Sequence, residues 1–339
     1  LVETNKIILQ ADYDMDQADD STEKSGGILG GTTVNVTICG STQQIRLKGS
    51  GEDKDNIEKA IDLSGNLKLE SLTLATLQHI YGSGHDIILG KDVTSKGTYL
   101  YGSYRTPIST QNVKVGKIEV ESGGIARIVG YIRSFNTNVL NVNNQEANIT
   151  VGGNAIVSTI VAGSASGGIE NANVNINIEG GTVTTVIGGN QGFTAVKSPY
   201  SGTTKIEVSG GTVGDIYGAG TGRNASIPTY LGNLDIKVSG GKIKNIYGAG
   251  SAAFVKSEED TMSSVRISAQ GGTIGNIYAA GKGNENGVSL YKDESTNYTF
   301  AEETTPEKFG SLTGSASITV GGSAIVEENI YRSEEHTSE

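Results

Sequence analysis

The sequence predicts an all-β protein, a right-handed parallel β-helix (a β-solenoid) with variable loop insertions. Three observations lead to this prediction. A short motif recurs along the chain, an alternating apolar and polar strand precedes most copies, and a glycine pair separates the strand from the motif. Repeats of this length that each contain one strand and one turn are typical of solenoids.

The recurrent motif has its clearest form at residues 216–220, which read Ile-Tyr-Gly-Ala-Gly. It returns at 246–250 and, with one Ala for Gly, at 277–281. Looser copies begin at 80, 100, 128, 160 and 186, so successive starts lie 20 to 32 residues apart, and a further copy begins at 330. The final gap of 53 residues predicts an insertion or a concealed turn. A single turn has only a narrow apolar stripe, so stability requires the next turn to stack on it.

The strand before the motif is exemplified by Ile206, Glu207 and Val208. Alternation with a period of two directs the first and third side chains inward and the middle one to solvent. The following pair, Gly210 and Gly211, predicts a corner at positive φ. Where the pair shifts, Asn154 falls on the second position, and asparagine tolerates that conformation best among other residues. The right hand follows from the general rule for parallel crossovers.

Composition agrees with a thin, repetitive interior. The 339 residues include 49 Gly but no Trp and only 5 Phe. Ile, Val, Leu and Ala alternate with Thr, Ser and Asn, which favours strands. The net charge of -11 argues against nucleic acid as a partner, because that affinity requires clustered Lys and Arg. The single Cys39 lies in a predicted strand and is interpreted as small core filler.

The chain divides into three parts. Residues 1–75 contain less regular early strands, at 34–39 and 66–74, while 56–63 could form a short helix or an inserted loop. Residues 76–331 hold the solenoid repeats. Residues 332–339 resemble the translation of a sequencing-library adapter, so a non-native tail is expected there, and with Leu1 in place of an initiator Met both ends are expected to be cut. No segment has the apolar length of a membrane span, so no membrane insertion is expected in this fragment.

The repeat at residues 210–220, Gly-Gly-Thr-Val-Gly-Asp-Ile-Tyr-Gly-Ala-Gly, resembles those of adhesin-like bacterial surface proteins. The resemblance implies an extracellular or cell-surface location and a rigid solenoid that presents loops to a glycan or protein on a host or microbial surface. The alternative is a polysaccharide lyase or glycoside hydrolase of the pectin-lyase-like β-helix class. A third interpretation is a structural spacer without any ligand.

The segments after the motif vary in length and composition, at 191–203, 221–232, 251–263 and 282–314. Insertions on a solenoid gather on one face, often the binding face. They contain aromatic residues that a disordered linker would lack. Six of these residues are the predicted ligand-binding set: Phe193, Tyr200, Tyr230, Phe254, Tyr291 and Tyr298.

A second aromatic series occupies the motif itself and comprises Tyr81, Tyr101, Tyr217, Tyr247 and Tyr278. It could form an exposed stripe for sugars or a structural ladder. Because aliphatic residues stand at the matching positions 129, 161 and 187, a buried or half-buried ladder is the favoured interpretation.

The sequence gives little support for catalytic or metal-binding residues. Glu119 and Glu207 lie three turns apart, about 14 Å, which exceeds the separation that a glycosidase requires. Glu207 is instead predicted to pair with Lys237, and the column of Asp215, Asn245 and Asn276 is interpreted as a solvated or hydrogen-bonding ladder. No catalytic residue is assigned.

Metal ligation is not expected either. The acidic residues Asp12, Asp14, Asp16, Asp19 and Asp20 lack the glycine and distal Glu of a helix-loop-helix calcium site. His79 and His85 lack a third ligand, so surface positions are expected for both. No cofactor is expected.

Overall fold

The structure is a computed structural model, and it describes residues 5–11, 13–14, 36–42, 46–48, 60–75, 79–104, 113–132, 139–165, 167–192, 199–222, 229–251, 254–255, 263–282, 312 and 314–331. Every regular element in these ranges is a β-strand. The strands run in parallel to their partners on neighbouring turns, which makes the protein an all-β parallel solenoid. The predicted fold class is therefore confirmed. The right hand stays a prediction.

The first half of the chain contains short strands. They are β1 (Asn5–Leu9), β2 (Tyr13–Asp14), β3 (Val36–Gly40), β4 (Arg46–Lys48), β5 (Ala60–Asp62), β6 (Leu67–Glu70), β7 (Thr73–Leu74), β8 (His79–Tyr81), β9 (Ile87–Leu89), β10 (Thr94–Tyr101), β11 (Ile118–Val120), β12 (Gly124–Val129), β13 (Val139–Asn141), β14 (Glu146–Val151) and β15 (Ile156–Val161).

The second half contains longer strands, several of which continue through a corner. They are β16 (Gly168–Ile178), β17 (Thr182–Ile187), β18 (Pro199–Val208), β19 (Thr212–Tyr217), β20 (Thr229–Tyr247), β21 (Phe254–Val255), β22 (Ser264–Tyr278), β23 (Ser315–Val320) and β24 (Ile325–Tyr331).

One inner column of side chains follows the strand that precedes the glycine pair. Each member pairs in register with the next, through Ile7, Ile38, Leu69, Leu89, Val120, Val151, Ile178, Val208, Val238, Ala269 and Val320. Small and medium aliphatic side chains stack on their equivalents, so each turn covers the apolar stripe of the one before it.

A second inner column follows the recurrent motif. It runs through Ile61, Ile80, Leu100, Ile128, Ile160, Val186, Ile216, Ile246, Ile277 and Ile330. From Ile80 to Ile277 these side chains are fully buried in the main core. The predicted stacking of separate motif copies is therefore confirmed.

The corner between these two columns requires glycine. Gly181, Gly211, Gly241 and Gly272 have φ of 70°, 73°, 78° and 80°, and a β-carbon on Gly211 would lie 2.6 Å from the backbone carbon of Gly180. The expectation for Asn154 is wrong, because Gly153 takes the positive φ there, at 54°. That corner has one residue more between its strands, so the left-handed position falls on the glycine.

The N-terminal strands belong to the same ladders. β1 pairs with β3, and β3 pairs with β6. Residues 60–62, for which a helix or loop was expected, form strand β5 and pair with β8. The helix interpretation is wrong there because Ile61 continues the inner column of the second strand, and residues 56–59 lie outside the described ranges.

Candidate functional site

The candidate functional site is the corner from which the variable segments leave the solenoid, here called the loop corner. It is defined by Gln191, Thr221, Ser251 and Lys282, which form successive parallel bridges. Each residue lies five positions after the inner Ile or Val of its motif copy, at 186, 216, 246 and 277. The variable segments therefore start in register, one above another, on the same corner.

Backbone hydrogen bonds hold the loop corner. Gly192 N donates to Thr221 O at 2.8 Å, and Gly222 N donates to Ser251 O at 2.8 Å. Lys282 N donates to Gly250 O at 2.9 Å. The points of departure are thus fixed by the same ladder that forms the core. The four residues are the starts of the variable segments expected from the sequence, and their constant offset from the motif is the signal that marks them.

Asn190 closes the base of the first variable segment. Its side chain is fully buried, and its Oδ1 accepts a hydrogen bond from Ser164 N at 2.8 Å. Its Nδ2 donates to Pro199 O at 2.8 Å, so one side chain joins the start and the end of segment 191–199. A buried amide with both ends paired holds its neighbours in one geometry.

Two of the six predicted ligand-binding residues are core residues. Tyr200 and Tyr230 are 0% and 1% exposed, and their rings stack with centroids 5.0 Å apart. The Tyr200 hydroxyl bonds Thr204 Oγ1 at 2.9 Å, and the Tyr230 hydroxyl donates to Asn233 O at 2.9 Å. Burial raises the pKa of the Tyr200 hydroxyl well above its ordinary value.

The expectation that these two tyrosines contact a ligand from loops is therefore corrected. Strands β18 and β20 begin earlier than the loop boundaries predicted, at Pro199 and Thr229, and alternation turns both rings inward. Phe254 lies in strand β21, and its side chain is outside the described part. Phe193, Tyr291 and Tyr298 also lie outside the described residues, so their predicted role stays a prediction.

The tyrosines of the motif stack on one another. The longest stack, here called the outer tyrosine ladder, contains Tyr217, Tyr247, Tyr278 and Tyr331. Successive centroids lie 5.1, 4.7 and 4.7 Å apart, with planes 13°, 8° and 5° from parallel. Tyr81 and Tyr101 stack in the same way at 4.6 Å. Neighbouring rings cover each other's faces, so the faces between two stacked tyrosines are unavailable to a sugar. This supports the structural interpretation.

Valine and isoleucine continue this column between the two tyrosine groups. Tyr101 pairs with Val129, followed by Val161, Ile187 and Tyr217. Tyr81, Tyr101 and the three aliphatic residues are buried in a second apolar cluster, separate from the main core. The aliphatic replacements thus mark a buried stretch of the column, as the sequence indicated.

A chain of side-chain amides runs beside the outer tyrosine ladder. Asn245 Nδ2 donates to Asp215 Oδ1 at 2.8 Å, Asn276 Nδ2 donates to Asn245 Oδ1 at 3.0 Å, and Asn329 Nδ2 donates to Asn276 Oδ1 at 3.4 Å. All these bonds point towards Asp215, whose other oxygen accepts from the Tyr217 hydroxyl at 3.4 Å. The hydrogen-bonding interpretation of this column is confirmed.

The outward column of the first strand contains Glu119, Thr150, Asn177, Glu207, Lys237, Ser268 and Thr319 in register. Lys237 Nζ lies 3.2 Å from Glu207 Oε1 and 3.7 Å from Asp235 Oδ2, with both partners of the first pair about half exposed. The predicted ion pair is confirmed. Lys237 therefore bridges two carboxylates on neighbouring turns, those of Glu207 and Asp235.

Metal ligands do not gather in the described part of the chain, where no group of three or more His, Cys, Asp and Glu side chains could hold an ion. Of the acidic cluster, Asp12, Asp16, Asp19 and Asp20 fall outside the described residues, and only the backbone of Asp14 is described. Over the same ranges, no helix is long and apolar enough to cross a membrane.

His79 is not at the surface, contrary to expectation. It is buried, its ring stacks on Tyr99 with centroids 4.8 Å apart, and its Nδ1 lies 3.3 Å from the Tyr101 hydroxyl. Arg127 covers the other side of this column, 5.8 Å from the Tyr99 centroid. The stack joins residues of three different turns, and each of His79, Tyr99 and Arg127 directly precedes the inner residue of its motif copy. His85 is half-buried.

The parallel ladders, the glycine corners and the loop corner define the chain as a parallel β-solenoid repeat protein. Comparisons with protein-family models, with curated proteins and with solved structures found no match for this chain.

Proposed function

We propose that the protein is an extracellular, adhesin-like solenoid of a bacterial surface, which presents the segments leaving the loop corner to a glycan or protein on a host or microbial surface. The observation that carries the proposal is the register of Gln191, Thr221, Ser251 and Lys282. Because stacked turns repeat at about 4.8 Å, four consecutive segments start within a short distance of one another. Such a group can contact one ligand together.

The chemistry of the loops supports a binding role. Phe193, Tyr291 and Tyr298 lie in these segments, and aromatic residues are enriched where proteins contact sugars and proteins. The net charge of -11 favours neutral or cationic partners over anionic ones. The described side chains lend the lyase or hydrolase alternative no specific support beyond the fold class.

Replacement of the segments tests the proposal. Residues 193–198, 223–228, 256–262 and 283–311 are exchanged for Gly-Ser linkers of equal length, singly and together, which keeps the four residues of the loop corner in place. Binding is measured on glycan arrays and on bacterial and epithelial cells. The matched control carries Lys205→Ala and Glu207→Ala on the outward face of β18. We expect the linker variants to lose binding and the control to keep it.

Two results would contradict the proposal. Binding that survives exchange of all four segments would place the ligand elsewhere on the solenoid. A wild-type chain that binds neither arrays nor cells would favour the structural spacer. Release of reducing sugars from pectin-like polymers would instead favour the enzyme alternative.

A further inference from the structure

The outer tyrosine ladder has a chemical property beyond packing. Its four phenols stack directly over one another on four neighbouring turns, with the closest pairs, Tyr247–Tyr278 and Tyr278–Tyr331, at 4.7 Å and within 8° of parallel. Solvent reaches the ladder at three members, since Tyr331 is 45% exposed and Tyr217 and Tyr278 are half-buried, while Tyr247 between them is 7% exposed. We propose that this ladder is an oxidative cross-linking site, at which a peroxidase and hydrogen peroxide join tyrosines of adjacent turns as dityrosine.

The reaction balances with hydrogen peroxide as the oxidant. Two phenols each give up one electron and one proton, and these reduce one peroxide to two water molecules. The two phenoxyl radicals form a carbon–carbon bond between ortho carbons. The hydrogen on each coupling carbon then moves to the oxygen of its own ring, which restores both phenols.

The register of the ladder favours coupling within one chain. Tyr247 and Tyr278 are partners in the same parallel pair, so their α-carbons lie about 4.8 Å apart and their rings overlap face to face. The ortho carbons of one ring therefore lie opposite those of the next. Holding two reacting groups in this arrangement makes their coupling effectively unimolecular.

The surroundings assist the first member of the ladder and limit some competing oxidation. Asp215 accepts the hydrogen bond of the Tyr217 hydroxyl and can take its proton as the electron leaves. The chain contains no Trp, two Met and one Cys, so the side chains that compete for the oxidant are chiefly its other tyrosines, of which it has 14 in all. Cys39 is buried.

Two buried pairs in the same chain serve as internal controls. Tyr81 and Tyr101 stack at 4.6 Å, and Tyr200 and Tyr230 stack at 5.0 Å, but each of these four rings is at most 1% exposed. An enzyme cannot reach them, and dense packing opposes the tilt that coupling needs. If stacking geometry alone decided the reaction, both buried pairs would be linked as well. If access of the enzyme is also required, only the outer tyrosine ladder is linked.

The test uses the full chain at low concentration with a peroxidase and hydrogen peroxide, followed by digestion and mass spectrometry of the monomer fraction. We expect linked peptides, lighter by two hydrogens than their sum, that join Tyr247 to Tyr278 or Tyr278 to Tyr331. Tyr278→Phe keeps a stacked ring but removes both of these links and leaves only Tyr217–Tyr247. Tyr230→Phe, in a buried pair, should leave the link map unchanged.

Several results would overturn the proposal. These are equal linking of Tyr81 to Tyr101, dityrosine only between chains, or no intrachain link under conditions that couple free tyrosine. The wild-type link map decides the question even if a variant folds poorly. The inference goes beyond the proposed binding role, and loops that bound nothing would leave it intact.

Discussion

Asn245 donates a side-chain hydrogen bond to Asp215 at 2.8 Å, although the two residues are 30 positions apart in the sequence. The bond exists because one full turn of the solenoid separates them and brings equivalent positions into register. Asn276 repeats the arrangement one turn further and also donates to Glu328 at 2.7 Å. A polar column is thus satisfied by its own copies, as the apolar columns are.

The amide chain predicts a measurable cost for its central member. Asn276→Ala removes the donor to Asn245 and Glu328 in a buried setting, and we expect unfolding in denaturant to show a loss of about 1–3 kcal/mol. Asn177→Ala, on the outward face of β16, is the matched control and should change stability by less than about 0.5 kcal/mol. Equal effects of both substitutions would show that the hydrogen bonds of the amide chain add nothing to the free energy of unfolding.

The inner column predicts a large effect of shortening one of its side chains. Ile246 is fully buried between Ile216 and Ile277, so Ile246→Ala should cost about 2–5 kcal/mol through lost contacts and the cavity left behind. Ile156 is 61% exposed, and Ile156→Ala should cost less than about 0.5 kcal/mol. Denaturant midpoints followed by circular dichroism give both values, and a small effect at Ile246 would contradict the stacked core.

The glycine corner predicts opposite outcomes for two Gly→Ala changes. Gly211 has φ of 73° and a backbone carbon 2.6 Å from the site of an added β-carbon, so Gly211→Ala should cost about 1–3 kcal/mol from strain alone. Gly152 has open space, and its φ lies outside the left-handed region. Gly152→Ala should be neutral or stabilise by up to about 1 kcal/mol. Thermal unfolding distinguishes them, and a stable Gly211→Ala protein would argue against the corner geometry.

Glu70 predicts a small dependence of stability on acid. The hydrogen bond and charge of Lys68 hold the pKa of this carboxyl below its ordinary value of 4.5. A lowered pKa in the folded state gives stability that is present above the ordinary value and is lost as pH falls through the lowered one. Because the pair is partly exposed, the contribution should stay below about 1 kcal/mol.

Glu70→Gln should flatten the denaturant midpoint between about pH 6 and pH 3, relative to wild type. Lys68→Met should flatten it in the same way, and the double variant should add little to either. High salt should shrink the difference, since the charges are accessible to ions. An unchanged slope in Glu70→Gln would assign the acid sensitivity to other groups.

Much of the fold could be predicted because the repeat is visible as a recurring pattern of residues. The spacing of Ile216, Ile246 and Ile277 together with alternation determined which side chains face inward, and stacking followed from the need to bury a narrow apolar stripe. The replacement of tyrosine by Val129, Val161 and Ile187 indicated a structural ladder. Glu207 and Lys237 were paired from their place in the repeat.

The site was harder to predict, because strands and loops share the same residue types at their boundary. Tyr200 and Tyr230 looked like loop aromatics, yet their strands extend back to Pro199 and Thr229 and bury them. His79 lacked any visible partner in its own turn, and Tyr99 and Tyr101 of the next turn supply the contacts that bury it.

The sequence by itself determined the parallel solenoid, its inner columns and the glycine corners at 210–211 and 240–241, since these depend on local periodicity and on backbone sterics that each turn repeats. Only the tertiary structure decided which aromatic rings are buried and in which direction the amide chain donates. Those properties depend on contacts between turns, where a residue's neighbours are set by stacking and not by its own segment.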